Sequence, residues 1–191
     1  MINPGSLQEI LEQLGAALGR RGGRHELLVV GGSVLLLGRY GVRPTRDVDV
    51  MGIRVGDTFV YRAQMPADLE EAADDVRLIY DLDPGWLNLG PMDRLEDGLP
   101  SGYENRFETR NYGSLTIHFL GRADLQRKKV LAASDPTRGN RDMTDLRVLA
   151  PDRGELIPAA RWALDVRYRR FRSDIVFIAK QLGVADAESE L

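Results

Sequence analysis

Val29-Val30-Gly31-Gly32-Ser33-Val34-Leu35-Leu36-Leu37 is followed, after Arg43-Pro44-Thr45-Arg46, by Asp47-Val48-Asp49-Val50, and these two stretches decide how the rest of the 191-residue chain is read. Residues 26–30 (ELLVV) are a short apolar run closed by Gly31-Gly32-Ser33, the pattern of a buried strand ending in a tight turn. Residues 34–40 fit a short helix and residues 41–45 a loop. Residues 46–51 (RDVDVM) alternate polar and apolar, as a half-buried strand does.

Side chains alternate along a strand, so Asp47 and Asp49 project to one side while Val48 and Val50 face the core. Two carboxylates on one face repel unless a cation lies between them, and hard oxygen donors of this kind suit Mg²⁺ or Mn²⁺. A Gly-Gly-Ser turn opening a helix offers backbone N–H groups and a hydroxyl to a phosphate. Together they describe a metal-assisted phosphoryl or nucleotidyl transfer site. Taken singly, each part has a plainer reading. A chain with 18 Asp contains Asp-x-Asp by chance, and Gly-Gly-Ser is first a loop.

Outward from this segment, residues 6–21 carry Leu7, Ile10, Leu11, Leu14 and Leu18 at helical spacing, with Ser6 as N-cap and Glu9 completing a capping box. Gly22 and Gly23 end that helix. His25 reads as an ordinary surface residue. Residues 66–80 suit a helix with Leu69, Ala72, Ala73, Val76 and Ile79 on one face. Residues 81–105 are loop-like around Trp86, itself a core residue first and a stacking platform second. Residues 106–110 and 114–120 read as a hairpin turning at Tyr112-Gly113. Helices are expected at 124–134, 141–149, about 158–171 and 173–182, with residues 185–191 frayed. The expected fold class is α/β (α+β): a small mixed sheet of four or five strands flanked by helices. A domain at 1–150 carries the chemistry, and a helical segment at 151–191 packs on it.

The ordered pattern of strand, Gly-Ser turn, short helix, loop and Asp-Val-Asp strand resembles the signature of the DNA polymerase β-like nucleotidyltransferase superfamily. Three further stretches are similar to a bacterial group of stand-alone nucleotidyltransferases akin to the toxins of AbiE-type and MenT-type toxin–antitoxin pairs. They are Pro84-Gly85-Trp86-Leu87-Asn88, Ala123-Asp124-Leu125 through Lys129, and Arg141-Asp142-Met143-Thr144-Asp145-Leu146. The resemblance spans roughly residues 26–149 and implies the nucleotidyltransferase fold. It implies that Asp47 and Asp49 bind the catalytic metal and that Gly32 and Ser33 hold the nucleotide phosphates. Arg43 and Arg46 would contact the triphosphate, Thr45 would order their loop, Lys129 would neutralise phosphate charge, and Asp142 would act as a supporting acid on the opposite wall. The implied activity transfers NMP from an NTP to a macromolecular hydroxyl, with the tRNA 3′ end or another RNA as acceptor and an antitoxin protein as partner. Many superfamily members add a third carboxylate on a later strand. Here the strand at 114–120 offers His118, so Asp142 replaces that acid, or His118 acts as base, or the base is dispensable. The alternative is a nucleotide- or partner-binding module of the same fold without turnover.

Composition narrows the classes. The absence of Cys excludes disulfide scaffolds, thiolate zinc sites and cysteine nucleophiles, and two His (His25 and His118) exclude a multi-histidine metal centre. Net charge is −3 from 26 basic and 29 acidic residues, which argues against nucleic-acid binding by bulk charge. Of the basic residues 23 are Arg, and the run from Arg161 to Arg172 (RWALDVRYRRFR) is either a solvated helix face or a phosphate-tracking surface. No apolar run approaches the ~20 residues that cross a bilayer, and Met1 to Glu12 lacks the pattern of a signal peptide; the expected setting is cytoplasmic, with no membrane partner.

Overall fold

A computed structural model of the chain describes residues 1–41, 43–61, 63–90, 98–135, 137, 140–166 and 171–191. It is a mixed α/β protein in two compact units, one of residues 1–92 and 107–120 and one of residues 93–106 and 121–191.

The first unit is built on a mixed sheet. Its strands are β1 (His25–Val30), β2 (Val48–Val55), β3 (Thr58–Val60), β4 (Leu87–Leu89), β5 (Glu108–Tyr112) and β6 (Leu115–Phe119). The spatial order is β3-β2-β1-β6-β5, with β4 pairing the first half of β2 in parallel. β1 runs antiparallel to β2 and parallel to β6, so it sits at the centre, and four consecutive residues, Leu27 to Val30, are buried. The β5–β6 hairpin turns at Gly113, as its alternation predicts. β4 falls where a loop was expected, and β3 in a stretch to which the sequence assigned no element. Three residues are too short for a period-two pattern to register, and their pairing comes from β2. Among the described residues the sheet therefore has six strands rather than four or five.

Helices α1 (Pro4–Arg20) and α3 (Ala67–Tyr80) pack together in this unit, and α2 (Ser33–Leu37) follows β1. The N-cap of α1 is Asn3, and Ser6 is the third residue inside the helix. Ser6 Oγ accepts from the Asn3 amide at 2.9 Å and donates to the Asn3 carbonyl at 3.0 Å. Pro4 at the first helical position explains the earlier start, since its fixed φ suits that position and its missing N–H costs nothing there. Gly15 lies against the hairpin: a Cβ there would stand 1.6 Å from the Tyr112 carbonyl oxygen. Trp86 is 2% exposed and its indole N–H donates to the Ala73 carbonyl at 3.0 Å, which ties β4 to α3 as a core residue does. His25 is not a plain surface residue, because its Nε2 meets the Asp68 carboxylate at 2.9 Å and pins the start of β1 to α3.

The second unit is helical: α4 (Arg122–Ala133), α5 (Arg141–Leu149), α6 (Arg153–Val166), α7 (Arg172–Gln181) and α8 (Ala187–Glu190). Val130, Leu131 and Leu146 share one apolar cluster with Leu156, Ala160, Ala163, Ile175 and Ala179. The helices at 122–149 thus group with the C-terminal helices, and the grouping does not follow a division at residue 150. α6 starts five residues before the expected 158 and takes Pro158 inside it. Asp152 and Glu155 cap its first turn reciprocally, each backbone N–H donating to the other's carboxylate. The end expected to fray is instead held. Asp186 and Glu190 pair with Arg153, Glu190 also pairs with Arg161, and Glu188 accepts from Lys180. No described helix is long and apolar enough to cross a membrane.

Gly15→Ala should cost about 1–3 kcal/mol, because the backbone of β5 cannot rotate away as a side chain would, and a lowered urea midpoint would show it. Glu155 gives a pH signature. Hydrogen bonds from Arg122 hold its carboxyl at about 2, against 4.5 for an ordinary Glu. A depressed carboxylate contributes stability above its unfolded pKa, and the contribution is lost as pH falls from 4.5 toward about 2. Glu155→Gln should therefore flatten stability against pH in that window and leave its slope near neutrality unchanged, as read by urea melts at stepped pH.

Candidate functional site

The end of β1 and the start of β2 carry the residues singled out from the sequence. Gly31 follows β1 with φ +82, a conformation that favours glycine. The second reason for glycine there is contact: a Cβ on Gly31 would stand 2.3 Å from Asp49 Oδ2, so the carboxylate rests against the turn. Gly32 is the N-cap of α2 and Ser33 its first residue, where backbone N–H groups have no intrahelical acceptor. Ser33 is wholly buried, and its hydroxyl donates back to the Val30 carbonyl at 3.3 Å. In this arrangement the Ser33 side chain closes the turn, and the amides are what the turn can offer a ligand.

Asp47 precedes β2 by one residue, and Asp49 is its second residue. Both are half-buried and flank Val48, which is fully buried. Thr45 has no exposed surface. Its backbone exchanges two hydrogen bonds with Ile2, at 2.7 and 3.0 Å, and its hydroxyl approaches the Asp47 carbonyl at 3.2 Å and Asp47 Oδ1 at 3.4 Å. The second residue of the chain thus anchors the loop that presents Asp47. Arg43 Nη1 lies 3.4 Å from the Pro44 carbonyl. Arg46 is exposed and makes no hydrogen bond or ion pair among the described residues.

Asn88 is a site residue to which the sequence reading gave no role. It stands on β4 directly beside Asp49 in register, and with its amide turned to satisfy both ends it donates to Asp49 Oδ1 at 3.2 Å and to the Leu89 carbonyl at 3.3 Å. The alternation Leu87-Asn88-Leu89 was the available signal, in a segment too rich in Gly and Asp to read as a strand. Among the described residues no third acid or histidine joins Asp47 and Asp49 in a metal-sized group, and Asn88 occupies the neighbouring strand at their level.

His118 shares a sheet face with Asp49, because Leu28 pairs with His118 and Val30 with Asp49 across β1. The residue is 6% exposed and both ring nitrogens are engaged, Nδ1 with Thr109 Oγ1 and Nε2 with Glu26 Oε2, each at 2.9 Å. Phe107 and Phe59 pack on it at centroid distances of 4.7 and 5.3 Å. An imidazole held on both nitrogens and walled by two rings is a packed residue. The outward end of the pair is the Glu26 carboxylate, 40% exposed and 3.7 Å from Arg54.

Lys129 and Asp142 lie in the helical unit and are brought together there. Lys129 Nζ donates to Asp142 Oδ1 at 2.8 Å and to Asp145 Oδ2 at 2.6 Å, and all three side chains are buried. Lys128, the neighbour, donates to the Gly98 carbonyl at 3.0 Å instead. Asp124, 1% exposed, is likewise met by Arg106 and Arg127. Of the Arg-rich run, Arg161 and Arg172 bond the C-terminal segment, while Arg167, Arg169 and Arg170 lie outside the described residues.

Comparison with family models, with curated proteins and with solved structures finds no match to this chain.

Lys129→Ala would strand two buried carboxylates and should cost about 3–5 kcal/mol, whereas Lys128→Ala should cost under about 1 kcal/mol. Lys129→Ala with Asp142→Asn and Asp145→Asn should recover much of the loss. A triple variant no more stable than Lys129→Ala in urea melts would show that the triad is not what the ammonium stabilises.

Proposed function

We propose that the chain is a metal-dependent nucleotidyltransferase of the polymerase β-like fold, moving NMP from an NTP to an acceptor hydroxyl. The observation that carries this reading is the seating of the Asp49 carboxylate against Gly31. It joins the phosphate-competent turn and the acid pair into one locus rather than two separate motifs. The donor set, half-buried carboxylate oxygens held by Thr45 and Asn88, has the hard character that Mg²⁺ or Mn²⁺ takes. Bound there, such a cation would polarise the α-phosphate and balance charge on the leaving pyrophosphate.

The chain's own residues do the rest. The Gly32 and Ser33 amides hold phosphate oxygens at the opening of α2. Arg46, exposed and unengaged among the described residues, and Arg43 beside it take the outer phosphates. Thr45, fixed to Ile2, keeps Asp47 at its place. Asn88 holds the Asp49 carboxylate in one orientation. Lys129 enters differently. The described geometry supports a clamp within the helical unit, and the phosphate-neutralising role of Lys129 and the acid role of Asp142 rest on the resemblance. The acceptor rests on it too, a macromolecular hydroxyl with the tRNA 3′ end first, as does an antitoxin partner. A second reading, nucleotide binding without turnover, draws on Asn88, an amide where a third carboxylate would complete the acid set.

Incubation with each α-³²P NTP and cell extract should label an acceptor, and labelling should vanish in Asp47→Asn and Asp49→Asn. Calorimetry with Mg²⁺ and a non-hydrolysable NTP should show the same loss. Neither variant should melt below the parent without metal, since each removes one of two neighbouring charges. Binding that survives intact in the double Asn variant would overturn the metal-site reading, and binding without any labelled product would select the second reading.

A further inference from the structure

A groove of about 780 Å³ opens on the other end of α2, between α1, the segment after α2 and the edge strand β5. Ser33 begins α2 at the Asp49 end, and Arg39 follows it at the groove end, so the groove is separate from the acid pair. Its size is that of a cleft for a small organic ligand.

The polar lining is pre-set. Glu108 holds two groups at once: Oε1 accepts from the Tyr40 phenol, and Oε2 lies 3.7 Å from the Arg110 guanidinium. Tyr112 also lines the groove, and burial pushes its phenol above the ordinary value, which keeps it protonated as a donor. Arg39 is exposed, sits at φ 56 where glycine is favoured, and its guanidinium makes no hydrogen bond or ion pair among the described residues, while its backbone N–H donates to the Leu36 carbonyl at 3.2 Å. Glu12 is the carboxylate in the lining, and the Gln8 amide donates to it at 3.1 Å.

We infer that this groove binds a nucleoside phosphate. The Arg39 guanidinium, unengaged among the described residues, and the Arg110 guanidinium, which Glu108 approaches only to 3.7 Å, are the groups a phosphate would meet here, and guanidinium suits phosphate bidentately; Glu12 and Glu108 balance their charge when the groove is empty. The rings of Tyr40 and Tyr112 offer flat apolar surface to a base, as nucleotide-binding surfaces do. The Gln8 amide and Glu12 carboxylate supply a donor and an acceptor for a base edge. No metal takes part, so the inference stands apart from the nucleotidyl-transfer reading. The same chemistry is presented by a free mononucleotide and by the terminal nucleotide of an RNA strand.

The test uses the full chain carrying Asp49→Asn, in EDTA, so that metal-dependent binding at the acid pair does not contribute. Adenosine 5′-monophosphate and a fluorescent single-stranded oligoadenylate RNA are titrated separately. Saturable binding of at least one probe is expected, weakened about tenfold or more by Arg39→Gly and by Arg110→Ala. Arg39→Gly carries its own folding control, because glycine relieves the positive φ and the variant should melt no lower than its parent. Stronger binding of the oligonucleotide would assign the groove to a strand end, and stronger binding of the monophosphate to a free nucleotide. Failure of both probes to saturate, or affinities unmoved by the two Arg substitutions, would overturn the inference.

Discussion

The Asp49 carboxylate lies against Gly31, so that a Cβ on the turn would stand 2.3 Å from Oδ2 and displace it. The strand that precedes the turn, the helix that follows it and the strand that returns the acid all meet at that contact. β1 must end at Val30 for the chain to reach φ +82, and Ser33 then folds its hydroxyl onto the Val30 carbonyl. β2 must pair with β1 in the register that sets Asp49 opposite Val30, and one extra residue near Met51 is absorbed as a bulge to keep it. β4 adds Asn88 at the same level. A half-buried carboxylate is tolerable only with donors around it, and these elements bring them.

In the contacts described, the buried acids of the helical unit and the acid pair of the sheet unit have different surroundings. In the helical unit, the buried Asp124, Asp142 and Asp145 meet Arg106, Arg127 and Lys129 directly, so each buried anion has a cation within hydrogen-bonding reach. Such pairs gain little over apolar packing, yet they are costly to break one partner at a time. In the sheet unit, Asp47 is approached by the Thr45 hydroxyl and Asp49 by the Asn88 amide, neutral groups that orient a charge. Orientation of this kind is what a ligand-binding pair requires.

Much of the sheet could be read directly. The run Leu27–Val30 and the alternation around Val48 and Val50 are long enough for burial to leave its period in the sequence, and the hairpin carried its glycine. β3 and β4 escaped because three residues hold no period and their stability lies in β2. The grouping of 122–149 with the C-terminal helices escaped for a related reason: Val130, Leu131 and Leu146 are apolar in either grouping, and only contact shows which core they join. The acid pair, the turn and Thr45 were all legible as motifs. The role of Asn88 was not, since it depends on a strand pairing, and neither was the capture of Lys129, since its two partners sit on another helix. His118 could be placed on its strand, but Glu26, 92 positions away, decides what its ring does.

The parallel pairing of β1 with β6 sets an order on assembly. β1 is made early, with its partner β2 close behind it, but its other edge is filled only when residues 115–119 have been synthesised. Until then the nascent sheet carries an open apolar edge at its very centre, along Leu27 to Val29, where unpaired backbone groups invite the wrong neighbour. Completing this sheet therefore needs a long loop closure as well as local hairpins, and contacts so far apart in sequence form slowly. A chain cut before the hairpin would hold the acid pair and the glycine turn in its sequence and leave one edge of the strand that feeds the turn unpaired.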